Sequence, residues 1–148
     1  MPSPDLLEIS LDLFRVLFEN APSLYLVLEP EEFRIIAVSE AYLAATMTRR
    51  DDIIGKKVFE VFPDDPGDPF ADGVRNLRAS LERVKSDRRA DAMAVQRYPI
   101  RRPESEGGQF EMRWWSSINS PIFDDRGKLT YIVHRVEDVT RLVQGTEE

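Results

Sequence analysis

The 148-residue chain has no cysteine, a single histidine and no long uninterrupted apolar run. Without cysteine it can form no disulfide, thiolate metal site or cysteine nucleophile, which fits a cytosolic protein. The most apolar stretch, residues 6–18, is interrupted by Glu8, Asp12 and Arg15, and no basic segment precedes it. This pattern excludes a signal peptide and a membrane span, so we expect a cytoplasmic protein.

A strongly basic surface is also lacking. The formal net charge is −7, which disfavours nucleic acid as a partner because a nucleic-acid footprint needs a cationic face. Hydrophobic residues make up 42% and charged residues 32% of the chain, so the composition predicts a folded domain rather than disorder. The length is typical of one domain with a single core.

Residues 6–18 have the apolar spacing of a helix, which Pro4 at its first position and Ser3 as a cap favour. Asn20-Ala21-Pro22 ends it. The apolar stripe is too broad for one narrow contact, so two interpretations stand: the helix packs on its own sheet, or its outer side pairs with a second copy of the chain.

The remaining pattern predicts an α+β fold. Residues 24–28 and 34–38 suggest a hairpin, Ser39 caps the first of several short helices, and Asp68-Pro69 begins a long helix. Three further strands follow at 92–100, 110–118 and 129–136. Helices between two groups of strands favour a five-stranded antiparallel sheet with helices on one face.

The last strand runs into Asp138-Val139-Thr140, where short oxygen-bearing side chains can cap a new helix. Arg141, Leu142 and Val143 begin that helix, which has few residues before the chain ends. We interpret it as an exit helix that connects to an output module missing from this chain.

Several motifs resemble the signature positions of PAS domains over about residues 14–140. In chain order they are Glu19-Asn20-Ala21-Pro22; residues 55–63, from Gly55 to Pro63; Trp114 with Asn119, Ser120 and Pro121; Asp125 and Gly127; and Asp138-Val139-Thr140. Ser39 departs from the pattern, since many PAS domains have Asn there. The resemblance implies a flanking helix at 1–20, a PAS-like domain at 21–140 and a truncated linker helix at 141–148.

The resemblance also implies a function. PAS domains are cytosolic sensory or dimerisation inputs of bacterial-type two-component histidine kinases, cyclic-dinucleotide enzymes or transcription regulators, without catalysis of their own. A homodimer is therefore expected, and the signal relay falls on Asp138 and Thr140, since this tripeptide couples the sheet to the output module in the family.

A PAS-like cup between sheet and helices is the expected ligand site, and side-chain alternation selects its wall. Because Glu111 and Arg113 share the parity of Trp115, we expect Trp114 to face the helices and Trp115 to face outward. The candidate pocket wall comprises Tyr25, Tyr42, Phe59, Met93 and Trp114. The alternative is a closed hydrophobic core. The candidate dimer interface comprises Leu6, Ile9, Leu13, Leu17 and Trp115.

Resident cofactors are disfavoured. Haem-binding PAS domains take a ligand from the long helix, which has no histidine here, so His134 is expected to be a sheet histidine satisfied by a neighbour. The cysteine that light-oxygen-voltage domains use for the covalent flavin adduct is absent, which leaves a noncovalent small molecule. Asp64, Asp65 and Asp68 suit a solvated loop better than a cation site, because the EF-hand spacing is missing.

An enzyme of the ketosteroid-isomerase type is the alternative function, since that small α+β cone also encloses an apolar pocket. Such an enzyme needs an inward carboxylate and a tyrosine as base and oxyanion donor. The strand at 110–118 has no Asp or Glu on the parity expected to face inward, which favours a non-catalytic domain.

Overall fold

The computed structural model describes residues 4–147, and side-chain surroundings for residues 11–145. The helices are α1 (Pro4–Glu19), α2 (Glu40–Thr46), α3 (Arg50–Ile53), α4 (Val58–Val61), α5 (Gly73–Asp87) and α6 (Thr140–Glu147). The strands are β1 (Leu24–Leu28), β2 (Ile35–Val38), β3 (Asp91–Ala92), β4 (Gln96–Arg97), β5 (Ile100–Arg101), β6 (Phe110–Glu111), β7 (Trp114–Phe123) and β8 (Leu129–Asp138). No described helix is both long and apolar enough to cross a membrane.

The main sheet is antiparallel, with strand order β2-β1-β8-β7-β3, and β4 also pairs with β7. The core side chains alternate along β1 and β8, where Leu26, Leu28, Ile132 and Val136 are buried. Helices α2 to α5 cover this face; they contribute Tyr42, Leu43, Ile53, Val58, Leu77, Leu81 and Val84 to the core. The predicted α+β fold with an antiparallel sheet is confirmed.

The predicted strand at 92–100 is broken into β3, β4 and β5. Ala92 pairs with Ile118 and Gln96 with Trp115, so the chain advances four residues while its partner advances three. One extra residue interrupts the ladder in the manner of a β-bulge. Beyond it, β5 leaves the main sheet and pairs with β6 in a separate two-stranded ribbon.

The long helix begins later than predicted. The Asp68 carboxylate accepts a hydrogen bond from the Phe70 amide at 2.9 Å and forms a turn, so Asp68-Pro69 does not begin a helix. Instead α5 starts at Gly73, and Asp64 accepts a bond from the Val74 amide at 3.1 Å. A Cβ atom at position 73 would lie 2.7 Å from the Tyr98 ring, so the ring packs there because the residue is glycine.

Two predicted helix boundaries are confirmed. Asn20 follows the end of α1, and its side-chain amide donates to the Val16 carbonyl at 2.9 Å. Ser39 is the N-cap of α2, and its hydroxyl oxygen also accepts the Tyr25 amide at 3.0 Å. The proposed cap at Ser3 lies outside the described residues.

Candidate functional site

Trp115, not Trp114, faces the helices. Trp115 is only 6% exposed, and its indole N–H donates to the Tyr98 carbonyl at 2.8 Å. Trp114 is half-buried and is absent from the core. The predicted parity of this strand was therefore wrong, and so was the assignment of Trp115 to a dimer interface, because its indole is buried within the monomer.

Charged and polar side chains do not mark the outer face at either end of this segment. Glu111 and Arg113 precede β7 and form an ion pair, so their charges do not mark the outer face of that strand. Further along, Ser117 and Asn119 lie on the inner face with Trp115 and are buried. Polar residues can occupy this face because hydrogen bonds within the protein satisfy them, as they do for Asn119.

A small cavity lies between the helices and the inner face of β7 and β8. The volume of the cavity is about 40 Å³, which is enough for about two or three water molecules. Its polar lining residues are Tyr42, Thr46, Gln96, Tyr98, Ser117 and His134. Its apolar and aromatic lining residues are Val58, Phe62, Leu77, Ile100, Trp115 and Val136. No Asp, Glu, Lys or Arg is among these described lining residues.

Of the five residues predicted to form the pocket wall, Tyr42 lines this cavity. Tyr25 alternates with the buried Leu26 on β1 and stacks on Phe18, with ring centroids 5.9 Å apart. Phe59 lies at a surface groove, where the Arg78 guanidinium sits 4.4 Å from its ring centroid.

Met93 and Trp114 also fall outside the cavity lining. The Met93 sulfur contacts the Asn119 amide at 3.5 Å, beside the core. Trp114 lies on the opposite parity of β7 from Trp115. Sequence reasoning missed Gln96, Tyr98 and His134 as cavity residues, since polarity alone gave no sign that they face inward.

A chain of hydrogen bonds runs from the buried His134 toward the protein surface. Its Nδ1 lies 2.6 Å from the Asn119 Oδ1, and the Asn119 amide donates to the Ser80 hydroxyl at 2.8 Å. Ser80 donates to Asp91 at 2.5 Å, and Arg83 pairs with that carboxylate at 3.0 Å. The expectation that a neighbour satisfies His134 is confirmed. Burial lowers the pKa of His134 from 6.5 to about 4, so the ring is neutral at pH 7.

The start of α6 is bonded to the first residue of β7. The Val139 amide donates to the Trp114 carbonyl at 2.9 Å, and the Trp114 amide donates to the Thr140 hydroxyl oxygen at 3.0 Å. Asp138 accepts bonds from the Thr140 amide at 3.0 Å and from its hydroxyl at 2.5 Å. Val139 and Thr140 therefore bond the junction between β8 and α6 to Trp114, and Asp138 holds Thr140 in place.

Asp138 also anchors an ion-pair network. Arg113 donates to Asp138 at 2.7 Å and to Glu111, which accepts a further bond from Arg102 in the β5–β6 ribbon. Burial raises the pKa of Asp138, but the bonds from Thr140 and Arg113 outweigh it and lower the pKa below 3.8. The junction is thus connected to both the main sheet and the ribbon.

The apolar side of α1 is exposed in the monomer. Phe14 is 69% and Leu17 is 57% exposed, and Leu11, Leu13 and Val16 are exposed as well. The sheet of the same chain therefore does not cover these five side chains; within the described part of the stretch, Phe18 packs on the sheet by stacking on Tyr25. The side chains of Leu6 and Ile9 lie outside the described residues.

The three carboxylates of the acidic loop at 64–68 have partners within the chain. Asp64 accepts a hydrogen bond from the Val74 amide, Asp65 accepts one from the Gly67 amide, and Asp68 pairs with Arg97. Within the described part of the chain, no group of three His, Cys, Asp or Glu side chains is arranged to hold a metal ion.

Comparison with known proteins agrees with this architecture. The sequence model of the family described as "PAS fold" matches residues 18–144. The chain therefore belongs to the PAS-fold family. No curated protein sequence matches it.

Solved structures with the same fold include an RNA-binding light-oxygen-voltage receptor, with a TM-score of 0.67 at 15% identity. That match covers 97% of this chain, which spans only 37% of the receptor. A PAS domain from Colwellia psychrerythraea has a TM-score of 0.63 at 14% identity, covering 89% of this chain and 98% of that one. A sensory box sensor histidine kinase from Vibrio cholerae has a TM-score of 0.56 at 15% identity, covering 92% and 96%. At these identities the likeness shows the fold alone.

Proposed function

We propose that the chain is a sensory and dimerisation input domain that relays the state of its cavity to an output module through Asp138-Val139-Thr140. One observation carries this proposal: Trp115 lines the cavity, while the backbone of the adjacent Trp114 bonds to both Val139 and Thr140. The cavity-lining residue Trp115 is thereby the immediate neighbour of the residue that is bonded to the start of α6. The output module is a histidine kinase, a cyclic-dinucleotide enzyme or a transcription regulator, in a cytoplasmic protein of bacterial type.

The relay requires two states of the domain with different contacts at the junction. In the state described here, both hydrogen-bonding groups of the Trp114 backbone are engaged. A ligand that moves the Trp115 indole would strain these bonds and favour a second position of α6. A coupling free energy of about 1–3 kcal/mol is typical of such a link and compares with the strength of one or two hydrogen bonds.

Dimerisation is proposed through the apolar side of α1. A second copy is the occupant because the exposed stretch is amphipathic and the same surface on two copies can pair about a two-fold axis. Large exposed side chains such as Phe14 support this, since a contiguous apolar surface is costly in water.

The isomerase-type alternative is less well supported. That chemistry needs a carboxylate beside a tyrosine in the pocket. Tyr42 and Tyr98 line the cavity, and burial raises the pKa of each hydroxyl above 10. The described lining has no carboxylate to act as base, which supports the non-catalytic proposal.

Native mass spectrometry tests the proposal's first part, since comparison with the denatured mass gives the subunit number and any retained small molecule together. A dimer, with or without an added mass, is expected, and a monomer at high concentration contradicts the dimer. The relay is tested where the domain is joined to an output module. There, the double variant Asp138→Ala, Thr140→Ala is expected to uncouple output from input while dimer affinity stays near wild type. Regulation of wild-type strength in that variant would leave only a helix cap.

A further inference from the structure

We infer that the cavity binds a small neutral molecule that carries a hydrogen-bond donor, held by the side chains of Gln96 and His134. This inference rests on the proposed function of the cavity as a ligand site and specifies the chemistry of the ligand.

Three donors of the lining are occupied by backbone carbonyls. The Trp115 indole N–H donates to Tyr98 and the Tyr98 hydroxyl donates to Phe62. The Thr46 hydroxyl donates to the Tyr42 carbonyl at 2.8 Å. The hydroxyls of Tyr42 and Ser117 are donor and acceptor in one, so they do not favour either kind of ligand.

An acceptor, in contrast, is left over. Gln96 is only 8% exposed, and among the described residues its Oε1 is the buried side-chain oxygen or nitrogen without a hydrogen-bond partner. A buried acceptor without a partner is costly, and most such atoms in folded proteins have one. A donor brought by a ligand would remove that cost.

His134 supplies a second acceptor. The Asn119 amide nitrogen donates to Ser80, so its oxygen faces His134 and the imidazole must donate from Nδ1. Because the ring is neutral, Nε2 then carries no proton and can only accept. The chain of bonds from Asn119 through Ser80 to Asp91 thus fixes the tautomer of His134. Asp91 is in turn held by an ion pair with Arg83.

Size and charge restrict the ligand further. The cavity volume of about 40 Å³ admits a molecule of roughly four non-hydrogen atoms, which is comparable with two or three water molecules. The described lining has no ionised side chain to pair with a charged ligand, and an unpaired buried charge is strongly unfavourable. A neutral primary amide therefore fits better than a carboxylate or an ammonium ion.

Three probes of nearly equal size separate these properties: acetamide, acetone and acetate. Acetamide carries the N–H donor, acetone lacks it, and acetate is charged. Two-dimensional NMR spectra of the full chain would follow the Trp115 indole N–H and the Gln96 side-chain amide. We expect acetamide to shift both signals with a Kd at least about tenfold lower than that of acetone, and acetate to leave both unchanged.

The variant Gln96→Met removes the unpaired acceptor, and Gln109→Met at an exposed position is its control. Acetamide binding should fall about tenfold in the first variant alone, while acetone binding stays the same. If acetone binds wild type as tightly as acetamide, the donor inference is overturned but the cavity remains a ligand site. If no probe shifts the two signals, the inference and the ligand-sensing part of the proposed function both fail.

Discussion

Replacement of Trp115 is the sharpest test of how β7 is oriented. The indole is 6% exposed and lines the cavity, and its N–H is bonded to the Tyr98 carbonyl at 2.8 Å. Trp115→Ala removes both the packing and the donor. Trp114, the adjacent residue on the opposite face, is half-buried and provides the matched control.

The expected cost of Trp115→Ala is about 3–5 kcal/mol for the lost ring. The abandoned Tyr98 carbonyl adds about 1–3 kcal/mol unless water reaches it. Since a domain of this size has a total stability of about 5–15 kcal/mol, the alanine variant is close to unfolding. Trp115→Phe is therefore the better perturbation, because it keeps an aromatic ring and removes the N–H, at an expected cost of about 1–3 kcal/mol.

Urea denaturation followed by circular dichroism gives the free energy of unfolding of each variant. We expect Trp115→Phe to lower the midpoint without a change in the m-value, and Trp114→Phe to cost less than about 1 kcal/mol. A cost for Trp114→Phe equal to or above that of Trp115→Phe would refute the assignment of Trp115 to the inner face.

Burial lowers the pKa of His134 from 6.5 to about 4. Between these two pH values the unfolded chain binds a proton that the folded chain does not bind, so the free energy of unfolding decreases as the pH is lowered. From pH 7 to pH 5 we expect a loss of about 2 kcal/mol that is absent in His134→Phe; equal losses in both proteins contradict this. Asp138→Ala should cost about 1–2 kcal/mol in urea unfolding, for a lost cap and a partly exposed ion pair, and a larger cost would mean that Asp138 chiefly holds the fold. In light scattering, Leu13→Asp with Leu17→Asp should give a monomer, while Phe70→Asp, at a position 82% exposed in the monomer, should not; a dimer that survives the first change rules out α1 as the interface.

Features set by neighbouring residues could be predicted from the sequence. The cap at Ser39, the end of α1 at Asn20 and the start of α6 at the Asp138-Val139-Thr140 motif each depend on a short side chain and an adjacent backbone amide or carbonyl. Such interactions have a fixed spacing along the chain, so the residue types alone indicate them.

Features that depend on contacts between residues far apart in the sequence could not be predicted from it. The start of α5 depends on Gly73 meeting Tyr98, and the burial of Asn119 depends on Ser80 and His134, which lie far apart in the sequence. The charge of Arg113 suggested an exposed face, but its partner Asp138 lies 25 residues away. Inner-face polarity was therefore misjudged wherever a buried polar group has a remote partner.

The proposed relay couples the cavity wall to the exit helix through Trp114. Hydrogen–deuterium exchange of the Trp114 and Val139 amides tests it most directly, because both are bonded across the junction. In Trp115→Phe we expect faster exchange at these two amides than in Ile132→Val, a substitution at a buried position of β8, once the two variants are compared at equal free energy of unfolding. Equal exchange at both amides in the two variants would contradict the coupling.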